Sequence, residues 1–185
     1  SCLKLREVYY GLDCQMLLYL FTLERNGGHL FSQGTAAGVE YLWADPAPEN
    51  IIRPETDDAE PLQAQNYPLE GLLLDEPSIY HAMDTRGTGA FVPLSFSAKT
   101  GEPTAQSAKA RLADREKFNR IRDHLDGMLT DMAKNLYSGE IDAAPLVPNA
   151  GKSPCLWCEY RTVCRHADGE GERTPLKPDD PFGAE

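Results

Sequence analysis

No apolar run in this sequence is long enough to cross a membrane. Its greasiest stretch, Val8 to Leu23, is sixteen residues long with charged flanks, whereas a spanning helix takes about twenty apolar residues. No secretory signal pattern is visible in the first residues of this sequence either, and no internal repeat is visible. Positive charge is scarce. Eighteen Lys and Arg against 29 Asp and Glu leave a net charge of −11, which argues against a free-standing cationic DNA binder, because affinity for phosphate backbones comes mostly from Lys and Arg. The cysteines number five, an odd count. Without a leader they are expected as thiols or metal ligands rather than disulfides, in a cytoplasmic protein with no membrane contact. What remains, 185 residues with 41% apolar and 25% charged content, suits one soluble domain with a sizeable core.

The stretch Val8 to Leu23 holds only four residues that are neither apolar nor aromatic: Gly11, Asp13, Gln15 and Thr22. It predicts one helix, buried on nearly every side, stopped by Asn26-Gly27-Gly28. Leu30 to Gly34 reads as a loop or a short helical continuation. Val39, Tyr41 and Trp43 alternate with Glu40, Leu42 and Ala44 as in a strand. Asp45 to Glu70, with seven acidic residues, one basic and five prolines, reads as a solvated excursion. GLLLDEP, from Gly71, looks like a turn leading to a short helix with Pro77 in its first turn. Phe91 to Ser97 predicts a second strand, at an edge or bulged because of Pro93, and Ala98 to Ala108 a loop. From about Ala113 to Ser138 the stripe Phe118, Ile121, Leu125, Met128, Leu129, Met132 and Leu136 predicts the longest helix, with Gly139 as its cap. The last twenty residues, rich in charge, glycine and proline, read as a tail. These elements divide the chain at 140 into a main body, 1–140, and an extension with a polar tail, 141–185.

Three groups of residues carry chemistry. Gln15 and Tyr19 lie one helical turn apart on one face, with Leu12, Met16 and Leu23 near it. A Gln in an apolar helix needs partners for both its carbonyl and its amide, and a core Gln capping a neighbouring backbone would serve equally well. Cys155, Cys158 and Cys164 form a C-x2-C-x5-C pattern. With His166 they make a local Cys3His set for zinc, while a four-iron cluster asks for four ligands, normally thiolates; ordinary buried thiols are the plainer alternative. Between Lys99 and Arg122 there are seven basic residues and three acidic. Lys109, Arg111 and Arg115 in that run face either phosphate or solvent.

The run LREVYYGLDCQMLLYL resembles the Q-x-x-x-Y helix of RecB-like nucleases in the PD-(D/E)XK superfamily, and among them the C-terminal nuclease domains of AddB (RexB) subunits of bacterial helicase–nucleases. The resemblance continues in order through GVEYLWADP, GLLLDEPSIYHAMD and FVPLSFSAKTG to CLWCEYRTVC. It implies an α/β fold: a partial restriction-endonuclease-like core followed by a cysteine-cluster extension. It also implies a Mg-dependent DNA exonuclease acting in recombinational double-strand-break repair beside an AddA-like helicase–nuclease subunit. Gln15 and Tyr19 would be accessory site residues that help place the DNA strand or the catalytic groups. In that family the late cysteines join one far upstream to hold a 4Fe-4S cluster, and neither Cys2 nor Cys14 matches its position. The family's Asp and D-Y-K residues would lie before Cys2. Lys4 stands near the right place, but it has no paired carboxylate before it in the sequence. The chain thus reads as the second half of a nuclease site, inert alone. The competing expectation is a non-catalytic module, stapled by zinc or a cluster, that binds DNA or protein.

Overall fold

Gly11 decides how the chain begins. In the computed structural model, which describes residues 3–29, 34–42, 69–147, 153–166, 170–175 and 178–183, Gly11 has φ +87° and Asp13 φ +51°. An α-helix does not run through two left-handed positions. The single expected helix is therefore two, α1 (Leu5–Tyr9) and α2 (Gln15–Asn26). The chain folds as two compact units, one of Ser1–Leu3 with Met16–Phe118, the other of Lys4–Gln15 with Asn119–Glu185.

In the first unit α2 buries Leu17 and Phe21, which are four residues apart and so share a face; each contributes about 2 kcal/mol of burial. The Phe21 ring meets Phe118 edge-on with centroids 6.5 Å apart. The helix is not buried all round: Gln15, Met16, Tyr19 and Leu23 are exposed. It stops at Asn26, and a 3-10 turn, Gly27–His29, follows. Farther on, the Ala36 N–H donates to Glu24 Oε1 at 2.9 Å, which ties the returning chain to the helix.

The sheet has three strands in the order β1-β2-β3. β1 (Gly38–Leu42) runs antiparallel to β2 (Leu69–Leu74), and β3 (Leu112–Ala113) parallel to it. The GLLL stretch expected as a turn is thus the central strand. Its glycine allows a close approach rather than a reversal: a Cβ on Gly71 would run into the Val39 carbonyl oxygen. Leu73 is buried with Tyr80, Val92, Leu94 and Leu112 in one apolar cluster. Tyr80 belongs to α3 (Pro77–Met83), which starts at the proline as its sequence suggests.

Phe91 to Ser97 does not join the sheet; its only pairing among the described residues is an isolated bridge, Phe96 to Pro103. Pro93 has no N–H to give to a ladder. The chain is instead looped about Asp84, whose carboxylate accepts from the Arg86, Gly89 and Ala90 N–H groups at 3.2, 2.7 and 3.2 Å and from the Thr88 hydroxyl at 3.3 Å. The expected loop 98–108 ends in a helix, α4 (Ala105–Arg111), capped by the Thr104 hydroxyl accepting from the Ser107 N–H.

The long helix α5 spans Arg115–Ser138, and Gly139 with φ +79° closes it. Of its expected stripe, Phe118, Ile121 and Leu125 are buried, whereas Leu129, Met132 and Leu136 are exposed. In the second unit the α5 segment from Asn119 carries His124, whose ring stacks on Tyr9 at 4.3 Å and whose Nε2 lies 2.9 Å from the Tyr9 carbonyl oxygen. The last residues are more than a polar tail. Phe182 is buried, packs against Tyr9 and His124, and accepts a hydrogen bond from Arg120 Nε through its carbonyl. Asp179 pairs with Arg6 at 3.2 Å, and Arg173 bridges to Leu146. One aromatic side chain anchors a segment whose composition alone favours solvent. The expectations for 30–33, for most of the acidic excursion (45–68) and for Trp43 lie outside the described residues.

Candidate functional site

Gln15 opens α2 and Tyr19 follows one turn later, so the two side chains share a face. That face is open to solvent: Tyr19 is 54% exposed, and Met16 and Leu23 beside it are exposed as well. A core Gln capping buried backbone does not describe this position. The turn before it is held by local contacts. The Cys14 thiol donates to the Val8 and Leu12 carbonyl oxygens at 3.5 and 3.3 Å, and burial, then the Asp13 charge, pushes its pKa up to about 11. Cys14 is therefore a neutral structural thiol and not a nucleophile. Lys4 is held by Glu7 at 2.8 Å.

Cys155, Cys158 and Cys164 lie on one short segment. Ser153 caps the 3-10 turn Pro154–Trp157 that carries Cys155, and Cys158 follows that turn. Cys164 ends α6 (Arg161–Cys164). All three are free thiols, Cys155 half-buried and the other two exposed. Among the described residues no three His, Cys, Asp or Glu side chains stand close enough to hold a metal ion, so neither a magnesium site nor an assembled cysteine site is formed by them as they stand. His166 Nε2, by contrast, is buried without a hydrogen-bond partner among the described residues.

The basic run is split by the fold. Lys109 and Arg111 are on α4, Lys109 exposed and Arg111 half-buried. Arg115, at the start of α5, pairs with Glu76 at 3.4 Å. Lys117 is buried and its N–H donates to the Asp114 carboxylate. Sequence spacing does not distinguish these environments, because it carries no information about where Glu76 or the chain around Asp84 comes to lie. Glu40 on β1 is another group the sequence does not single out: its Oε1 is buried without a hydrogen-bond partner among the described residues, and burial pushes its carboxyl up.

Residues 3–165 match the family described as the PD-(D/E)XK nuclease superfamily. Among curated proteins the chain is similar to several named as the B-type component of an ATP-dependent helicase/deoxyribonuclease. One from a Thermoanaerobacter species is 31% identical over 170 residues, covering 88% of this chain and 14% of the relative. Those of Exiguobacterium sibiricum and Symbiobacterium thermophilum are 29% and 31% identical with the same coverage. The chain thus spans about 14% of the length of the curated relatives it matches. Among the described residues no helix is long and apolar enough to cross a membrane.

Proposed function

The chain belongs to the PD-(D/E)XK nuclease superfamily, and we propose on that footing that it is the later half of the DNA exonuclease domain of a helicase–nuclease subunit. The subunit would degrade DNA ends in recombinational repair of double-strand breaks, with an AddA-like helicase–nuclease subunit as partner. The observation that carries this reading is the position of Gln15 and Tyr19: one turn apart, exposed on α2, inside a match that runs from residue 3 to residue 165. An exposed amide and phenol on a rigid helix suit placing a DNA strand or the groups that act on it. Nuclease chemistry in this superfamily uses a metal-activated water for attack on phosphorus. The carboxylates and lysine for Mg²⁺ would come from sequence before Cys2, so the chain alone would not cleave DNA.

In the same reading Cys155, Cys158 and Cys164 are three ligands of a 4Fe-4S cluster whose fourth thiolate comes from elsewhere in the longer protein. A second reading rests on His166. Its unpartnered Nε2 would complete a local Cys3His zinc site in a module that binds DNA or protein without chemistry. One preparation separates the two. The longer protein, purified without oxygen, should contain iron, lose it on Cys158→Ser, and degrade linear DNA with Mg²⁺. Stoichiometric zinc, no iron and no cleavage would overturn the nuclease reading in favour of the module.

A further inference from the structure

A groove of about 550 Å³ lies in the first unit between the chain that loops about Asp84 and helix α4. Its walls include Leu69 at the start of β2, the Val92 to Ser95 segment and, on α4, Ser107, Ala110 and Arg111. The groove is rich in hydrogen-bond donors. The Ser107 hydroxyl oxygen accepts from the Ser95 N–H at 2.9 Å, and the Thr104 hydroxyl oxygen accepts from the Ser107 N–H at 3.3 Å. Each of these hydroxyls still has its own O–H to give. The Gln106 amide and the half-buried Arg111 guanidinium make no hydrogen bond or ion pair among the described residues. Ser107 and Arg111 are four apart and so aim from one helical face. No carboxylate lines the groove among the described residues.

A guanidinium held half out of water with no anion beside it among the described residues, flanked by hydroxyl and amide donors, is arranged for a phosphate, which it binds bidentately. We propose that this groove binds a backbone phosphate of single-stranded DNA, with Arg111 as the charged contact and Ser107 and Gln106 as neutral donors. The volume lies within the range of small-ligand pockets, so it takes one or two nucleotides and not a duplex. Single-strand channels combine such cationic grooves with tolerance of any base, because the phosphate carries the affinity. The fold also separates Arg111 from its neighbours in sequence: Lys109, two residues away, does not line the groove, and Arg115 is paired with Glu76. The inference rests on the nuclease reading for its choice of polymer, but on the groove alone for the anion.

Fluorescence anisotropy of a labelled twelve-residue oligothymidylate against the 185-residue chain, across a salt series, tests the groove without involving cleavage. Wild type should bind. Arg111→Gln should weaken binding about 10-fold and reduce the salt slope by about one unit, and Arg111→Lys should keep the slope. Lys134→Gln, which removes an exposed pair with Asp131 that is no part of the groove lining, should change neither. Circular dichroism melts of each variant exclude unfolding as the cause. No binding by wild type, an unchanged slope in Arg111→Gln, or an equal loss in Lys134→Gln would each overturn the groove. Competition by thymidine 5′-monophosphate as effective as that by the unlabelled oligonucleotide would overturn the strand in favour of a mononucleotide. None of these failures bears on cleavage by the longer protein, which is measured separately.

Discussion

Asp84 shows how a single residue organises a stretch that sequence patterns misread. It is 1% exposed, and the four donors on its two oxygens come from the next six residues. Burial pushes its carboxyl up, but hydrogen bonds from the Gly89 and Arg86 N–H groups, the Thr88 hydroxyl and the Ala90 N–H outweigh it and hold the pKa below the ordinary 3.8. A carboxyl whose pKa is lowered by folding stabilises the fold above its unfolded value, and that contribution is lost as pH falls through the folded value. Asp84→Asn replaces an acceptor by an amide whose N–H groups face other donors. It should cost about 2–3 kcal/mol at pH 7, read from urea denaturation, and the gap to wild type should narrow below pH 3.8. Equal stability at pH 7 would show that the loop does not depend on the carboxylate. In the sequence this residue looks like any acid after a short helix; only the turn geometry of Gly87 and Gly89 gives it neighbours.

At the scale of elements, strongly periodic helices were legible and backbone-driven features were not. α3, α5 and the stop of α2 follow from Pro77, a repeated apolar spacing, and Asn-Gly-Gly. The break between α1 and α2 did not follow, because Gly11 sits inside an apolar run and hydrophobicity has no sensitivity to the sign of φ. Likewise β2 was hidden because four buried residues in a row lose the alternation that marks a half-exposed strand. α4 was hidden because its small, polar residues make no apolar stripe. Gly11→Ala tests the break. An alanine at φ +87° is strained, and its Cβ would sit 3.1 Å from Met128 Sδ, the end of a flexible side chain that can yield. The cost should therefore be mainly the backbone term, about 1–2 kcal/mol, measured by denaturation. Unchanged stability with a gain in helix signal would mean that the chain prefers one continuous helix.

For the whole molecule, family membership was legible because five stretches between Leu5 and Cys164 resemble the family in its order, a constraint no single motif supplies. The Gln15 and Tyr19 face was legible as spacing, although its exposure was not: an apolar run predicts burial, and only the Leu17 and Phe21 side of α2 is buried. Of the basic candidates Lys109, Arg111 and Arg115, only Arg111 lines the groove while Arg115 pairs with Glu76, a distinction that the spacing of a basic run does not carry. The cysteine segment reads as a ligand pattern in sequence, but among the described residues no three His, Cys, Asp or Glu side chains stand close enough to hold a metal ion. The most direct test of the central claim is Mg²⁺-dependent degradation of linear DNA by the longer protein together with the proposed helicase–nuclease partner, comparing wild type with Gln15→Ala. The account predicts a fall of about 10-fold or more with DNA binding and thermal stability retained. Undiminished cleavage by Gln15→Ala would contradict it.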